Sequence, residues 1–188
     1  GNGQGFCVFN DVCVAARAMQ NEGRVKNVLV VDCDVHQGNG TSAIARGDAS
    51  LFSFSMHCEK NYPFQKTEGD YDIALPVGAS DAFYLDQLES GLHEVLNSFV
   101  PDFVFYLAGA DPYIEDRLGL LDLSKAGLAS RDQMIFDLCR EKGIPLAFAM
   151  AGGYAPEISD IVDIHFQTVK IAVDSLSRHP SQIYEAIF

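Results

Sequence analysis

The sequence predicts an α/β domain, a parallel β-sheet with helices on both faces. Short apolar runs of strand length alternate along the 188 residues with longer amphipathic stretches of helical length. The run Val28–Val31 places four apolar residues in succession, which requires that both faces of its strand be covered. The runs lead into acids, hydroxyls or glycines, the residue types that gather at the carboxyl ends of strands in open parallel sheets. Right-handed crossovers through the helices then connect the strands.

The elements follow in order. Asn10 and Asp11 cap a helix over 11–22, and Gly23 stops it. "NVLVVD" (27–32) is the first buried strand and "LFSFS" (51–55) the second. "DYDIAL" (70–75) is an extra or edge strand. A helix from Ala82 to Phe99 is opened by Ser80 and Asp81, and "FVFYLAG" (103–109) is the next strand. A helix from Lys125 to Lys142 starts at Ser124 and ends at Gly143. "PLAFAMAGGY" (145–154) is a strand that runs into a glycine turn, and a last helix occupies 156–177. Without repeats, low-complexity tracts or Pro/Gly/Ser linkers, the chain (1–188) reads as a single domain.

Composition narrows the function. Apolar residues make up 48% and charged residues 21%, ordinary for a soluble globular protein. No stretch reaches the ~18 uncharged apolar residues of a membrane span, and no signal peptide opens the chain, so no membrane partner is expected. Thirteen basic against 26 acidic residues leave a net charge of −13, which disfavours direct nucleic-acid binding and suits a cationic or amine-bearing substrate. Five cysteines, an odd number with no CxxC, favour reduced thiols and a cytoplasmic location. The chain begins at Gly1 rather than Met, the expectation for a processed or truncated piece of something longer.

The strand ends carry the chemistry. The first delivers Asp32, Asp34 and His36, the second Ser55 and His57, the third Asp111 and the fourth Tyr154. Residues two apart in an extended segment point the same way, so Asp34 and His36 face one point and Asp32 lies one step back, deepest. A carboxylate and an imidazole converging there are two metal ligands, with Asp111 the third. The alternative is that Asp32 and Asp34 cap the next helix and His36 is a surface residue. The arrival of Asp111 and Tyr154 at the same edge favours the metal. Two oxygens and one nitrogen suit Zn2+ with an open fourth position, and Fe2+, Mn2+ or Co2+ also match the ligand types. Tyr154, in the Gly152–Gly153 turn, is placed to hydrogen-bond an oxyanion; its other reading is an aromatic covering the helix start.

Other features read as structural. Phe52, Phe54, Phe103, Phe105 and Phe148 belong to the core. His93 and His165 have structural roles on helices, Arg117 holds the "EDRLG" loop (115–119) with an acid, and Asp70 and Asp72 form a solvated turn.

"GFCVFND" (5–11), "DCDVHQGNG" (32–40), "AGADPYIEDRLGLLDLS" (108–124) and "AGGY" (151–154), in this order, resemble the histone deacetylase superfamily of arginase–deacetylase fold. "DVHQGNG" and "DRLG" lean toward the class IV type and its bacterial relatives. The resemblance implies a zinc-dependent hydrolase that removes acyl groups from lysine or other amines by metal-activated water. It implies Asp34, His36 and Asp111 as metal ligands, and Tyr154 and Asp32 as catalytic groups, Asp32 by orienting a histidine. It implies a potassium- or sodium-like site at Asp32, Asp34, His36, Ser55 and Met56, and a second cation at Ala45, Asp48, Leu51 and Tyr71. It implies a substrate channel at Gly5, Phe6, Tyr62 and Gly153. Arginases place a further acid two residues after the histidine; Gly38 stands there, which favours one metal and a deacylase.

One departure is large. The family carries a His-His pair, its general base and acid, a few residues before "GFC", and this chain has none there. The expectation is therefore a C-terminal portion of a deacetylase-like catalytic domain, incomplete at its N-terminal side, with impaired catalysis. A non-catalytic metal-binding or assembly module is the alternative, and an uncovered sheet edge makes a homo-oligomer an expected partner state.

Overall fold

A computed structural model of the chain describes residues 3–177. Its element order is α1 (Asp11–Asn21), β1 (Val28–Asp32), α2 (Asn39–Ala45), β2 (Leu51–Cys58), β3 (Tyr71–Leu75), α3 (Asp81–Ser98), β4 (Phe103–Ala108), α4 (Lys125–Lys142), β5 (Leu146–Met150) and α5 (Ile158–Ser177). The strands form one five-stranded sheet in the order β3-β2-β1-β4-β5, and every neighbouring pair is parallel.

The pattern explains which face each helix covers. On one face Leu29, Val31, Phe54, Met56, Val104 and Tyr106 pack with Leu88 and Leu92 of α3, Ile135 and Phe136 of α4, and Ile164 and Ile171 of α5. On the other, Val28, Val30 and Leu51 pack with Val12, Cys13 and Ala16 of α1 and Ala45 of α2. This second layer is thinner, and Phe103, Phe105 and Leu107 under it are only half-buried. β1, the central strand, is buried along its whole length. β5 lies at one edge with Leu146–Ala149 half-buried and Met150 exposed. The outward side of α5 leaves Val162, Phe166, Val169, Val173 and Leu176 exposed. The described cysteines are all free, and only Cys7 is exposed. No helix among the described residues is long and apolar enough to cross a membrane.

Side chains close the helix ends. Asn10 accepts from the Cys13 N–H and donates to Thr41, tying α1 to α2. Ser124 accepts from Gly127 N–H at the start of α4, and its own hydroxyl donates to Asp81 at the start of α3. Gly143 ends α4 in the left-handed conformation (φ 66°) that a side chain disfavours.

Three expectations are corrected. The second strand runs past Ser55 to Cys58, so His57 lies inside it rather than beyond its end. The short α2 is missing from the expected element order; Ile44 is the one large apolar residue among its seven, so it shows no apolar period. Asp70 and Asp72 are solvent-exposed as expected, but they do not form one turn, and both are hydrogen-bonded. Asp70 accepts from the N–H and hydroxyl of Ser53, and Asp72, within β3, accepts from Gln37 and from Gly69 N–H.

Candidate metal centre

Three adjacent parallel strands deliver the site to one edge of the sheet. β1 ends at Asp32 and continues through Cys33 to Asp34 and His36. β4 ends at Ala108 and reaches Asp111 through Gly109 and Ala110. β5 ends at Met150 and passes through Gly152 and Gly153 to Tyr154. One potential ligand atom from each of Asp34, His36 and Asp111 lies within 4.8 Å of the others. His36 Nδ1 stands 2.9 Å from Asp34 Oδ1 and 3.1 Å from Asp111 Oδ2.

Backbone donors hold the carboxylates in place. Asp34 accepts from His36 N–H (2.9 Å) and from Gly152 N–H (2.7 Å), and Asp111 accepts from Val35 N–H (2.8 Å). Gly152 leaves room for the cluster: a Cβ there would stand 2.0 Å from Asp111 Oδ2 and 2.7 Å from Asp34 Oδ2. Gly38 is equally constrained, because a Cβ there would stand 2.3 Å from Asp32 Oδ2. A further acidic side chain therefore has no space at position 38.

Burial and crowding set the electrostatics. Asp111 is fully buried, and burial, then the charge of Asp34, pushes its carboxyl up to about 7. Burial, followed by the Asp34 charge, also drives Asp32 well above the usual carboxylate range. Burial works against the charged form of Asp34 too, but hydrogen bonds from the ring and N–H of His36 outweigh it and hold this carboxyl below the usual range. Burial opposes charging of His36, yet Asp111 and Asp34 together push the imidazole up to about 10. Three acids, two of them buried, thus gather around one part-buried imidazole. That is costly without a compensating cation. A divalent ion seated among Asp34, His36 Nδ1 and Asp111 fits both the charge and the two-oxygen, one-nitrogen donor set.

Asp32 lies behind the three, buried, and its Oδ1 accepts from Asp34 N–H (3.0 Å). It pairs in register with Ser55, whose hydroxyl accepts from Gly38 N–H (3.2 Å) and meets His57 Nδ1 at 3.1 Å; Met56 follows, buried. Burial holds His57 below the usual histidine range, so it is neutral. Ala45, Asp48 and Leu51 share the turn between α2 and β2, where the Ala45 carbonyl accepts from Asp48 N–H and the Asp48 carbonyl from Leu51 N–H. The Asp48 carboxylate pairs with Arg17. Tyr71 stands one strand over, opposite Phe54, with its hydroxyl on Glu94.

An aromatic rim surrounds the centre. Gln4 and Cys7 exchange two backbone hydrogen bonds across a tight turn whose central residues, Gly5 (φ 56°) and Phe6 (φ 64°), are both left-handed. This turn holds Phe6, 87% exposed, with its ring centroid 6.0 Å from that of Tyr154. The Tyr154 and Tyr62 rings stand 6.3 and 6.5 Å from the His36 ring, each edge-on. Tyr62 also faces Gly5, where a Cβ would meet its Cε1 at 3.8 Å. Gly153 lies at the back of the rim, against Ala110 and Ile161. Burial, with Asp111 and Asp34 adding, pushes the Tyr154 phenol up to about 12, so it remains a hydrogen-bond donor at neutral pH.

The sequence reading missed two supports. Asp116, rather than Arg117 with an acid, holds the 115–119 loop: it accepts from Tyr154 N–H and Leu118 N–H. Gln37, buried beside His36, bonds Thr67 through both ends of its amide. The "EDRLG" stretch pointed to the first as a loop; an isolated glutamine offers no comparable signal.

A family profile described as the histone deacetylase domain matches residues 1–169. An uncharacterised protein of Picosynechococcus is 44% identical over 165 residues, 88% of this chain and 55% of that protein. Histone deacetylase 2 of Arabidopsis thaliana is 32% identical over 163 residues, 85% of this chain and 42% of its own length. The crystal structure of the HDA15 HD domain superposes with a TM-score of 0.77 at 32% identity, covering 92% of this chain and 52% of that one. The chain spans about half the length of these relatives.

Proposed function

The chain belongs to the histone deacetylase family, and from that membership we propose that it serves a zinc-dependent deacylase acting on acyl-lysine or another acylated amine. The observation that carries this reading is the convergence of Asp34, His36 and Asp111 on one point beside Tyr154. A divalent ion held by these three supplies Lewis acidity, polarising an acyl carbonyl and acidifying water. Zn2+ is the proposed ion, with Fe2+ the nearest substitute by ligand type.

The residues then divide the work. Phe6, Tyr62, Gly5 and Gly153 line the approach and take the aliphatic stem of the amine. Tyr154 donates its phenolic O–H to the acyl oxygen as negative charge builds there. Asp32 stays behind the ligands, with a potassium- or sodium-like ion at Asp32, Asp34, His36, Ser55 and Met56, and a second cation at Ala45, Asp48, Leu51 and Tyr71. Acid–base work needs a group beyond His36, the histidine that meets Asp34 and Asp111 through hydrogen bonds. For these 188 residues on their own, turnover is therefore lower by roughly 10²–10⁴ than with positioned acid–base catalysis.

Zinc-loaded chain assayed on acetyl-lysine peptides and acetylated polyamines is expected to show slow, chelator-sensitive hydrolysis. Tyr154→Phe lowers it by a further ~10²-fold with zinc content unchanged. Equal rates for the two proteins remove Tyr154 from the chemistry. Zinc binding without any hydrolysis selects the non-catalytic metal module instead.

Self-association is proposed at β5, an edge strand among the described residues, where Met150 is exposed. Sedimentation velocity at micromolar concentration is expected to show dimers that Met150→Lys dissociates. A parent chain that stays monomeric contradicts this.

A further inference from the structure

Beneath the exits of β1 and β4, α4 buries a complete charged pair. Arg131 and Asp132 are 0% and 1% exposed. The Arg131 Nη1 donates to the Gly109 carbonyl at 2.7 Å and, more weakly, to the Cys33 carbonyl at 3.4 Å. Cys33 lies between Asp32 and Asp34, and Gly109 stands two residues before Asp111. On its other side the guanidinium contacts Asp132 Oδ1 through Nε at 2.9 Å and Nη2 at 2.8 Å. Asp132 accepts in turn from the hydroxyls of Tyr106 on β4 and Thr168 on α5. A continuous set of bonds therefore runs from α5 through α4 to the two backbone segments that carry the acidic ligands.

The pair is neutral as a whole, so it does not offset the acids above it. Nor is a buried pair a strong source of stability, since apolar residues of the same volume often serve as well. What it supplies is geometry. A planar guanidinium can hold two carbonyls and a carboxylate at fixed angles, which a single ammonium cannot. We propose that Arg131, braced by Asp132 and Thr168, is a positioning residue for the metal centre: it fixes the backbone at Cys33 and Gly109 and so the separation of Asp34 and Asp111. This rests on the metal reading given above.

Cobalt(II) titration, read by visible absorption together with the melting temperature of the metal-free chain, tests it. Arg131→Lys keeps the charge and loses the fork; cobalt affinity falls about 10- to 100-fold, and the band shape changes. Thr168→Val removes one donor to Asp132 far from the metal and is nearly isosteric; affinity falls about 3- to 10-fold, and Thr168→Ser restores it. If Arg131→Lys does not fold, the Thr168 pair decides. Variants that melt lower yet bind cobalt with the parent's affinity and spectrum overturn the positioning role and leave a structural one. A parent chain that binds no cobalt overturns the metal centre itself, and this inference with it.

Discussion

Replacing Gly152 by alanine is expected to weaken zinc binding by about 100-fold or more while the sheet stays folded. The Cβ would stand 2.0 Å from one oxygen of Asp111 and 2.7 Å from one of Asp34. Both carboxylates are held from behind, Asp111 by Val35 N–H and Asp34 by His36 N–H, so neither can withdraw without breaking a bond. The Gly152 N–H that fixes Asp34 would be displaced as well. Disturbing one supporting contact of a metal ligand typically costs about 10- to 100-fold in affinity, and here two ligands move at once. Competition against a chelator of known affinity measures the loss, with circular dichroism as the control for folding. Unchanged affinity would show that the metal lies elsewhere.

Zinc affinity is also expected to rise steeply with pH. Binding requires His36 to give up its Nδ1 proton and both carboxylates to be charged. His36 is pushed up to about 10 and Asp111 up to about 7, so metal competes with one proton between about pH 7 and 10 and with two below about pH 7. Each displaced proton makes apparent affinity rise about tenfold per pH unit. The sign for the metal-free fold is opposite. The raised His36 contributes stability that is complete below its ordinary value of 6.5 and lost as pH rises through about 10. Asp111, raised from 3.8, contributes stability that is lost as pH rises from about 4 through about 7. Thermal melts at about pH 6, 7.5 and 9, with and without zinc, should therefore diverge. The metal-free transition falls through these two groups, and the gap between the two curves widens. A gap independent of pH contradicts the assignment of His36 and Asp111 as ligands.

The sheet is largely legible in the chain because its central strands are continuous apolar runs. Val28–Val31 admits no reading but a strand buried on both faces, and it is the middle strand. Edge strands show less: Tyr71–Leu75 alternates in burial and reads only as an extra strand. The limits of β2 were missed because Met56, His57 and Cys58 break the phenylalanine–serine alternation while remaining in the sheet. α2 is hard to see because it opens on Asn39, Gly40, Thr41 and Ser42, which do not favour a helix interior; in the fold Ala45 packs with Val28 and Leu51, and Thr41 bonds Asn10.

The convergence of Asp34, His36 and Asp111 is legible because strand ends in a parallel sheet share one edge, so a two-residue spacing on one strand and a lone acid on the next suffice. Their supports are not. Arg131 and Asp132, within "SRDQ" on a helix, have the appearance of a solvated face; only the fold reveals that they lie under the ligand loops. Asp116 likewise reads as a loop acid until the return of β5 brings Tyr154 N–H onto it.

The most direct measurement is anomalous diffraction at the zinc edge from crystals of the zinc-loaded chain. One strong peak is expected, bonded to a carboxylate oxygen of Asp34, to His36 Nδ1 and to a carboxylate oxygen of Asp111, with Tyr154 facing it and Asp32 behind, outside bonding distance. A peak bonded to Asp32 in place of Asp111, or no peak among these residues at full zinc loading, would contradict it.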